Sequence, residues 1–163
     1  LQNTSSAHLF GDLAPKDSSL GDTVKIGLLL WNDALDDAHT MLQDINTQTG
    51  SYWHAIMHRR EPDYSNAKYW FDRVGSHPIF PTLRKRVLDS LKAGSCQSNQ
   101  LANFAEASKE TDSWNARQFV DWCQAAEQNP HADAIEFLQR TQVEEIKLLL
   151  DYSLRNALTW SHS

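Results

Sequence analysis

The chain of 163 residues lacks several features that mark well-known classes of protein. Its only cysteines are Cys96 and Cys123, too few for a disulfide framework or a cysteine zinc cluster. Cys123 lies on an apolar helix face and Cys96 in a polar loop, so neither is expected to be a nucleophile. A reducing, cytoplasmic location is expected. The longest apolar run, Ile26–Trp31, is far too short to span a bilayer, and no signal peptide is visible.

Basic charge is also scarce. The net charge is −6 with the histidines neutral, and the basic clusters at 59–60 and 84–86 are short. This balance argues against a nucleic acid or an anionic membrane as a partner. The sequence also lacks a glycine-rich phosphate loop and a nucleotide-binding fingerprint, so nucleotide chemistry is not expected.

Apolar residues recur at helical spacing along most of the chain, and no alternating strand pattern of useful length appears. The sequence therefore predicts an all-α fold, an irregular bundle of about five to seven helices built on an antiparallel helical hairpin. Residues 1–22 are rich in serine, aspartate and glycine and predict a loose N-terminal leader with one turn near Ala7–Phe10. Residues 23–160 are predicted to form a single helical domain.

Capping and breaking residues divide that domain into helices. The first is predicted to run unbroken from Val24 to Ile45, with Gly50 suited to a left-handed turn after it. The second spans Ser51 to Arg60 and is stopped by a proline. Asp63 or Ser65 is predicted to cap a third helix, which Gly75 closes. Thr82 to Ala93 is predicted to form a fourth helix that ends at Gly94, and two more are predicted at 101–107 and from a start at Asp112 or Ser113. A last helix from 130 towards Thr159 is predicted to break near Thr141.

Each of the first two predicted helices carries a polar stripe beside its apolar seam. The members recur at spacings of three and four, which places them on one face of each helix. A short turn should make the helices antiparallel, and the rotational positions of the stripes put both on the same side of the hairpin. The stripes are Asn32, Asp36, His39 and Gln43 on the first helix, and His54, His58 and Glu61 on the second.

Helix rise predicts which residues of the two stripes lie at the same height. If the turn is centred near Thr49, three imidazoles and two carboxylates are expected to converge. The predicted facing pairs are His39 with His58, Gln43 with His54, and Asp36 with Glu61.

His39, His54 and His58 are the predicted metal ligands, since three histidines suit Zn, Fe, Mn or Ni. Asp36 or Glu61 would be the fourth ligand or the general base. An open position on the ion would lower the pKa of a bound water and supply a nucleophile. The alternative is a solvated polar face or a set of hydrogen-bonded structural histidines, because a lone His-x3-His pair is a weak signal.

The segment Ser51–Pro81 concentrates histidines, aromatic rings and positive charges. The functional interpretation is a pocket for an anionic or planar small molecule. The alternative is that the aromatic residues are core and that the arginines pair with neighbouring acids. The predicted substrate-binding residues are Arg59, Arg60, Lys68, Tyr69 and His77.

The run HAIMHRREPDYSNAKYWFDRVGSHP, between Trp53 and Pro81, resembles a family of small uncharacterised proteins from bacteria and fungi. Members of that family carry a similar His-x3-His-Arg-Arg-Glu segment followed by Ser-Asn-x-x-Tyr-Trp-Phe. The resemblance covers about thirty residues, with Ala38-His39 as a looser match upstream. It implies that the segment is a signature, and it implies no particular activity.

Two functions are compatible with these features. The first is a metal-dependent enzyme, hydrolase-like, that acts on a small molecule with a divalent metal as cofactor. The second is a non-catalytic helical domain that binds a ligand or another protein. A homodimer is expected only because helix-rich proteins of this size often self-associate.

Overall fold

The computed structural model describes residues 3–13, 15, 17–93 and 98–158. Within that part of the chain every regular element is helical, which confirms the predicted all-α irregular bundle. A 3₁₀ turn at Ser6–Phe10 precedes eight α-helices. These are α1 (Ser18–Trp31), α2 (Leu35–Leu42), α3 (Gln48–Arg60), α4 (Tyr64–Val74), α5 (Phe80–Ala93), α6 (Asn99–Ala107), α7 (Ala116–Gln128) and α8 (Ala132–Ala157).

The single long first helix of the prediction is wrong, because it is two helices, α1 and α2. Asp33 adopts a left-handed φ of 62°, a conformation that aspartate tolerates better than most residues. The side chain of Asn32 donates to a carbonyl in the last turn of α1 and caps it. Arg60 of α3 binds both the carbonyl of Leu30 and the carboxylate of Asp33, and so fixes the corner. The apolar period continues through this corner, which is why the sequence pattern did not reveal it.

Helix α3 is the centre of the bundle, and residues 50–59 are all buried. It packs against α1, α2 and α4. The Thr47 hydroxyl caps its start by accepting the amide of Gly50 at 3.0 Å. Gly50 therefore lies inside the helix and not in the predicted left-handed turn. A Cβ there would meet a methyl of Ile45 at 2.3 Å and its carbonyl at 2.8 Å, so the close α2–α3 connection requires glycine.

The remaining boundaries follow the caps and the packing. Asp63 caps α4 and Gly75, at φ 61°, ends it, as predicted. Helix α5 begins earlier than predicted, at Phe80, and α7 begins later, at Ala116. The predicted break near Thr141 is wrong, because α8 runs through this buried residue. Packing of α8 against α1, α5, α6 and α7 outweighs the small propensity cost of one β-branched residue.

The N-terminal segment is packed against the bundle. The predicted turn is present at Ser6–Phe10, and α1 starts at Ser18, earlier than the predicted residue 23. Phe10 is buried against α1 and the end of α8 in a small cluster with Val24, Ala157 and Leu158. The division of the chain into a leader and one domain stays a prediction.

Three predicted features fall outside the described residues: the end of the 82–93 helix at Gly94, the loop cysteine Cys96, and the end of the last helix at Thr159. Among the helices that the structure describes, none combines the length and the apolarity needed to cross a bilayer.

Candidate metal centre

The three predicted histidine ligands come together between α2 and α3. His39 lies on α2, and His54 and His58 lie one turn apart on α3. One ring nitrogen from each lies within 4.8 Å of the other two. His54 and His58 are only 5% and 7% exposed, whereas His39 is partly exposed. The cluster is therefore buried on the α3 side and accessible on the α2 side.

The ring of His39 contacts both other imidazoles equally. Its centroid lies 5.3 Å from that of His54 and 5.3 Å from that of His58. The predicted contact with His58 is present, but the predicted partner of His54, Gln43, is exposed. The facing pairs were predicted for one continuous first helix. The corner at Asp33 divides that helix and moves the residues of α2 relative to α3.

The plane of His54 is fixed by a neighbouring aromatic ring. The indole of Trp70, on α4, stacks on His54 with centroids 3.9 Å apart and an angle of 13°. His54 and His58 are themselves nearly parallel, with centroids 5.0 Å apart. This packing restricts the rotation of the His54 ring. His39 is the least buried of the three imidazoles.

His58 carries a buried nitrogen without a hydrogen-bond partner. Its Nδ1 is shielded from solvent and unpaired among the described residues. The carboxylates of Glu61 and Asp63 lie 3.7 Å and 3.8 Å away, too far for a hydrogen bond. Such an atom costs roughly 1–3 kcal/mol of folding free energy, so the chain keeps it at the expense of stability.

Burial favours the neutral form of His54 and His58. Burial, followed by the nearby His58 and His39, lowers the pKa of His54 to about 4. Burial also lowers the pKa of His58, although the carboxylates of Asp63 and Glu61 act in the opposite direction. A neutral imidazole offers a lone pair, which is the form that binds a metal ion.

The spacing of the three nitrogens suits a metal ion after a small adjustment. An ion equidistant from three atoms 4.8 Å apart would lie about 2.8 Å from each, compared with about 2.0–2.1 Å for a Zn–N bond. Side-chain movements of less than about 1 Å close that difference, and the partly exposed His39 has room for them.

The two predicted acidic residues, Asp36 and Glu61, have different surroundings. Asp36 is exposed, and its carboxylate makes no hydrogen bond or ion pair within the described part of the chain. The predicted facing of Asp36 and Glu61 is not found among the described contacts. Glu61 instead lies beside Nδ1 of His58, together with Asp63, which the sequence interpretation treated only as a helix cap.

Arg59 is part of a different polar cluster, which we call the Arg59–Glu145 network. Arg59 pairs with Glu145 of α8, whose other oxygen accepts the hydroxyl of Tyr52 at 2.9 Å. Its Nε donates to Gln142 at 3.2 Å, and the guanidinium lies 4.6 Å from the ring centre of Phe119. Glu145 is 0% exposed. The network pins α3 to α8.

Three other predicted substrate-binding residues make no described contact with the histidine cluster. Arg60 holds the α1–α2 corner. Lys68 pairs with Asp121 of α7. His77 is buried, with its ring centre 4.8 Å from that of Tyr152, and burial lowers its pKa to about 4.

Tyr69 is beside the cluster, and so is Arg73, which the sequence interpretation missed. Tyr69 is 53% exposed and contacts the edge of Trp70, with centroids 5.5 Å apart. The guanidinium of Arg73 lies 5.2 Å from the ring centre of Trp70 and 6.0 Å from that of Tyr69. The sequence signal was available, because an arginine three and four residues after two aromatic residues shares their helix face.

A separate cleft of about 470 Å³ opens between α3, α7 and α8. Arg59 and Arg60 line it, so the two predicted arginines face this cleft and not the histidines. The thiol of Cys123 also lines it, and burial raises the pKa of that thiol to about 11. The thiol is therefore protonated near neutral pH, which agrees with the expectation of an inert cysteine.

No family model matches the chain, and neither does a curated protein or a solved structure. The resemblance of the Trp53–Pro81 segment to a family of small proteins stays a prediction.

Proposed function

We propose that this protein is a metal-dependent enzyme, hydrolase-like, that holds a divalent ion with His39, His54 and His58 and acts on a small molecule. The observation that carries the proposal is the convergence of three ring nitrogens within 4.8 Å of one another. Imidazole nitrogen is a suitable ligand for Zn, Fe and Ni, and Mn accepts it in mixed sites.

The surroundings of His58 support this assignment. A buried nitrogen without a partner is satisfied either by an ion or by a carboxylate that moves closer when an ion occupies the other nitrogen. Glu61 and Asp63 lie within 4 Å of Nδ1 and are placed for the second role. We therefore assign Glu61 to orienting His58 and not to proton transfer.

The open side of the cluster supports catalysis. Three protein ligands leave a coordination position for water, and an ion bound there would lower the pKa of that water to about 7. The partial exposure of His39 gives a substrate access to that position. Asp36 lies one turn before His39 on α2 and is exposed, so it is the proposed general base.

Metal content tests the proposal. The purified chain should hold one divalent ion, measured by plasma mass spectrometry after exchange into metal-free buffer. His39→Ala should lose the ion and remain folded, because His39 is the least buried of the three. His131→Ala, which removes an exposed histidine at the start of α8, is the matched control and should keep it. Substoichiometric metal that is unchanged in His39→Ala would reject the site.

The second candidate is a non-catalytic helical domain that binds a small molecule. The cleft between α3, α7 and α8 favours it, since about 470 Å³ lies within the usual range for ligand pockets. Loss of a stoichiometric metal in His39→Ala would argue against this candidate as the whole function. The cytoplasmic location and the homodimer are proposals from composition and class alone.

A further inference from the structure

Arg73 is an exposed cation whose charge no described residue neutralises. It forms no hydrogen bond or ion pair within the described part of the chain, and its contacts are with the rings of Tyr69 and Trp70. The neighbouring acids are already engaged: Asp72 pairs with Arg117, and Asp121 pairs with Lys68. Its guanidinium therefore keeps its full charge and its donors for a ligand.

Arg73 is also close to the histidine cluster. Both Arg73 and His54 contact the indole of Trp70, whose ring centre lies 5.2 Å from the guanidinium and 3.9 Å from the centre of the imidazole. The guanidinium is therefore at most about 9 Å from the centre of the His54 ring. Arg73 and the exposed ring of Tyr69 therefore lie on α4 next to Trp70, the residue that packs against the histidine cluster.

We infer that the substrate is a small planar molecule with an oxyanion, a carboxylate or a phosphate, which Arg73 binds while its ring lies against Tyr69. This inference rests on the proposed function, for which it names the substrate class. A planar guanidinium matches the two oxygens of either group, and the ring separates the anion from the reacting bond near the metal.

Arg73 fits this role better than the arginines that the sequence suggested. Arg59 is buried and already paired with Glu145, and Arg60 is paired with Asp33. Both arginines line the cleft between α3, α7 and α8, so an anion bound to either would lie in that cleft and not beside the histidines. Arg73 binds an anion without breaking an existing ion pair.

A purely structural role for Arg73 is the competing explanation. The residue lies in the last turn of α4, where a cation complements the helix dipole, and it stacks on two aromatic rings. In that case its replacement would lower the stability of the helix without changing the affinity for any small molecule. Affinity and stability must therefore be measured separately.

Isothermal titration calorimetry on the metal-loaded chain separates the two explanations. The probes are benzoate and phenyl phosphate, with benzyl alcohol as the neutral planar control. Arg73→Gln should weaken binding of at least one anionic probe by about threefold to fivefold, the contribution expected of an ion pair at an exposed position. The affinity for benzyl alcohol should not change. The affinity of Arg73→Lys for the anionic probes should lie between that of the unmodified chain and that of Arg73→Gln. The two anionic probes distinguish a carboxylate substrate from a phosphate substrate.

Arg140→Gln is the matched control, since Arg140 is an exposed arginine on α8 that pairs with Glu136, and it should bind both anions as the unmodified chain does. A stoichiometric metal with equal anion affinities in the unmodified chain and in Arg73→Gln would overturn this inference alone. Absence of metal in the unmodified chain would overturn the proposed function as well, so the two failures are distinguishable.

Discussion

Helix α3 carries two buried polar clusters that differ in how completely their groups are paired. In the Arg59–Glu145 network the guanidinium pairs with the carboxylate, which also accepts the hydroxyl of Tyr52, and Nη1 of Arg59 alone of these groups has no hydrogen-bond partner among the described residues. In the histidine cluster burial lowers the pKa of His54 and of His58, and Nδ1 of His58 has no hydrogen-bond partner among the described residues. An ion pair accounts for the burial of Arg59 and Glu145, whereas no hydrogen bond or ion pair joins the three imidazoles to one another, and this difference is the reason for proposing a ligand only at the histidine cluster.

The largest expected effect comes from breaking the paired cluster. Glu145→Gln leaves the charge of Arg59 buried without a counterion and should lower the free energy of unfolding by about 3–5 kcal/mol in urea denaturation. Glu144→Gln, on the adjacent residue, removes a partly exposed pair with Arg86 and should cost less than about 1 kcal/mol. Equal effects of the two substitutions would contradict the description of the network.

The double substitution Arg59→Met with Glu145→Leu sharpens this first test. It removes both charges together, so no buried charge is left alone, and it should recover much of the stability lost in Glu145→Gln. A double variant as unstable as the single one would mean that packing, and not charge pairing, holds α3 to α8.

The second effect concerns His77, a buried histidine outside both clusters. Its pKa is about 4 when folded and about 6.5 when unfolded, because burial among aromatic rings disfavours the charged form. Between these values the unfolded chain binds the proton and the folded chain does not. Stability is therefore fully present above pH 6.5 and falls as the pH drops towards 4, by up to about 3 kcal/mol.

His77→Phe should remove this part of the pH dependence. The measurement is urea denaturation of the unmodified chain and of the variant at several pH values between 4 and 7. The difference in unfolding free energy between the two proteins should change across this range, because only the unmodified chain contains His77 and every other titrating group is common to both. A constant difference would show that His77 is not the group responsible.

The smallest effect tests the unpaired cluster. With metal removed by a chelator, His58→Leu should raise the free energy of unfolding by about 1 kcal/mol, since it eliminates a buried nitrogen without a partner. The same substitution should abolish metal binding. His131→Leu, at an exposed position, should change neither quantity by a comparable amount. A loss of stability in His58→Leu without metal would mean that the ring is satisfied by the protein itself.

Local spacing predicted the cluster but not its surroundings. His54 and His58 share a face of α3 because they are four residues apart. His39 faces them because α3 packs beside α2 after a short connection. Pairing of Arg59 with Glu145 joins residues 86 positions apart, and no local pattern encodes such a contact. The corner at Asp33 was hidden because the apolar period continues through it. Asp36 and Gln43 were misplaced for the same reason.

The two contacts that hold α2 against α3 have a consequence for the entropy of binding. At one end of α3, the missing side chain of Gly50 lets Ile45 approach; at the other end, Arg60 holds the Asp33 corner. Helix α2, which lies between these points, therefore has little freedom to slide, and His39 is held in register with His54 and His58. If the proposed ion binds there, it would lose little affinity to ordering the helices that carry the three imidazoles.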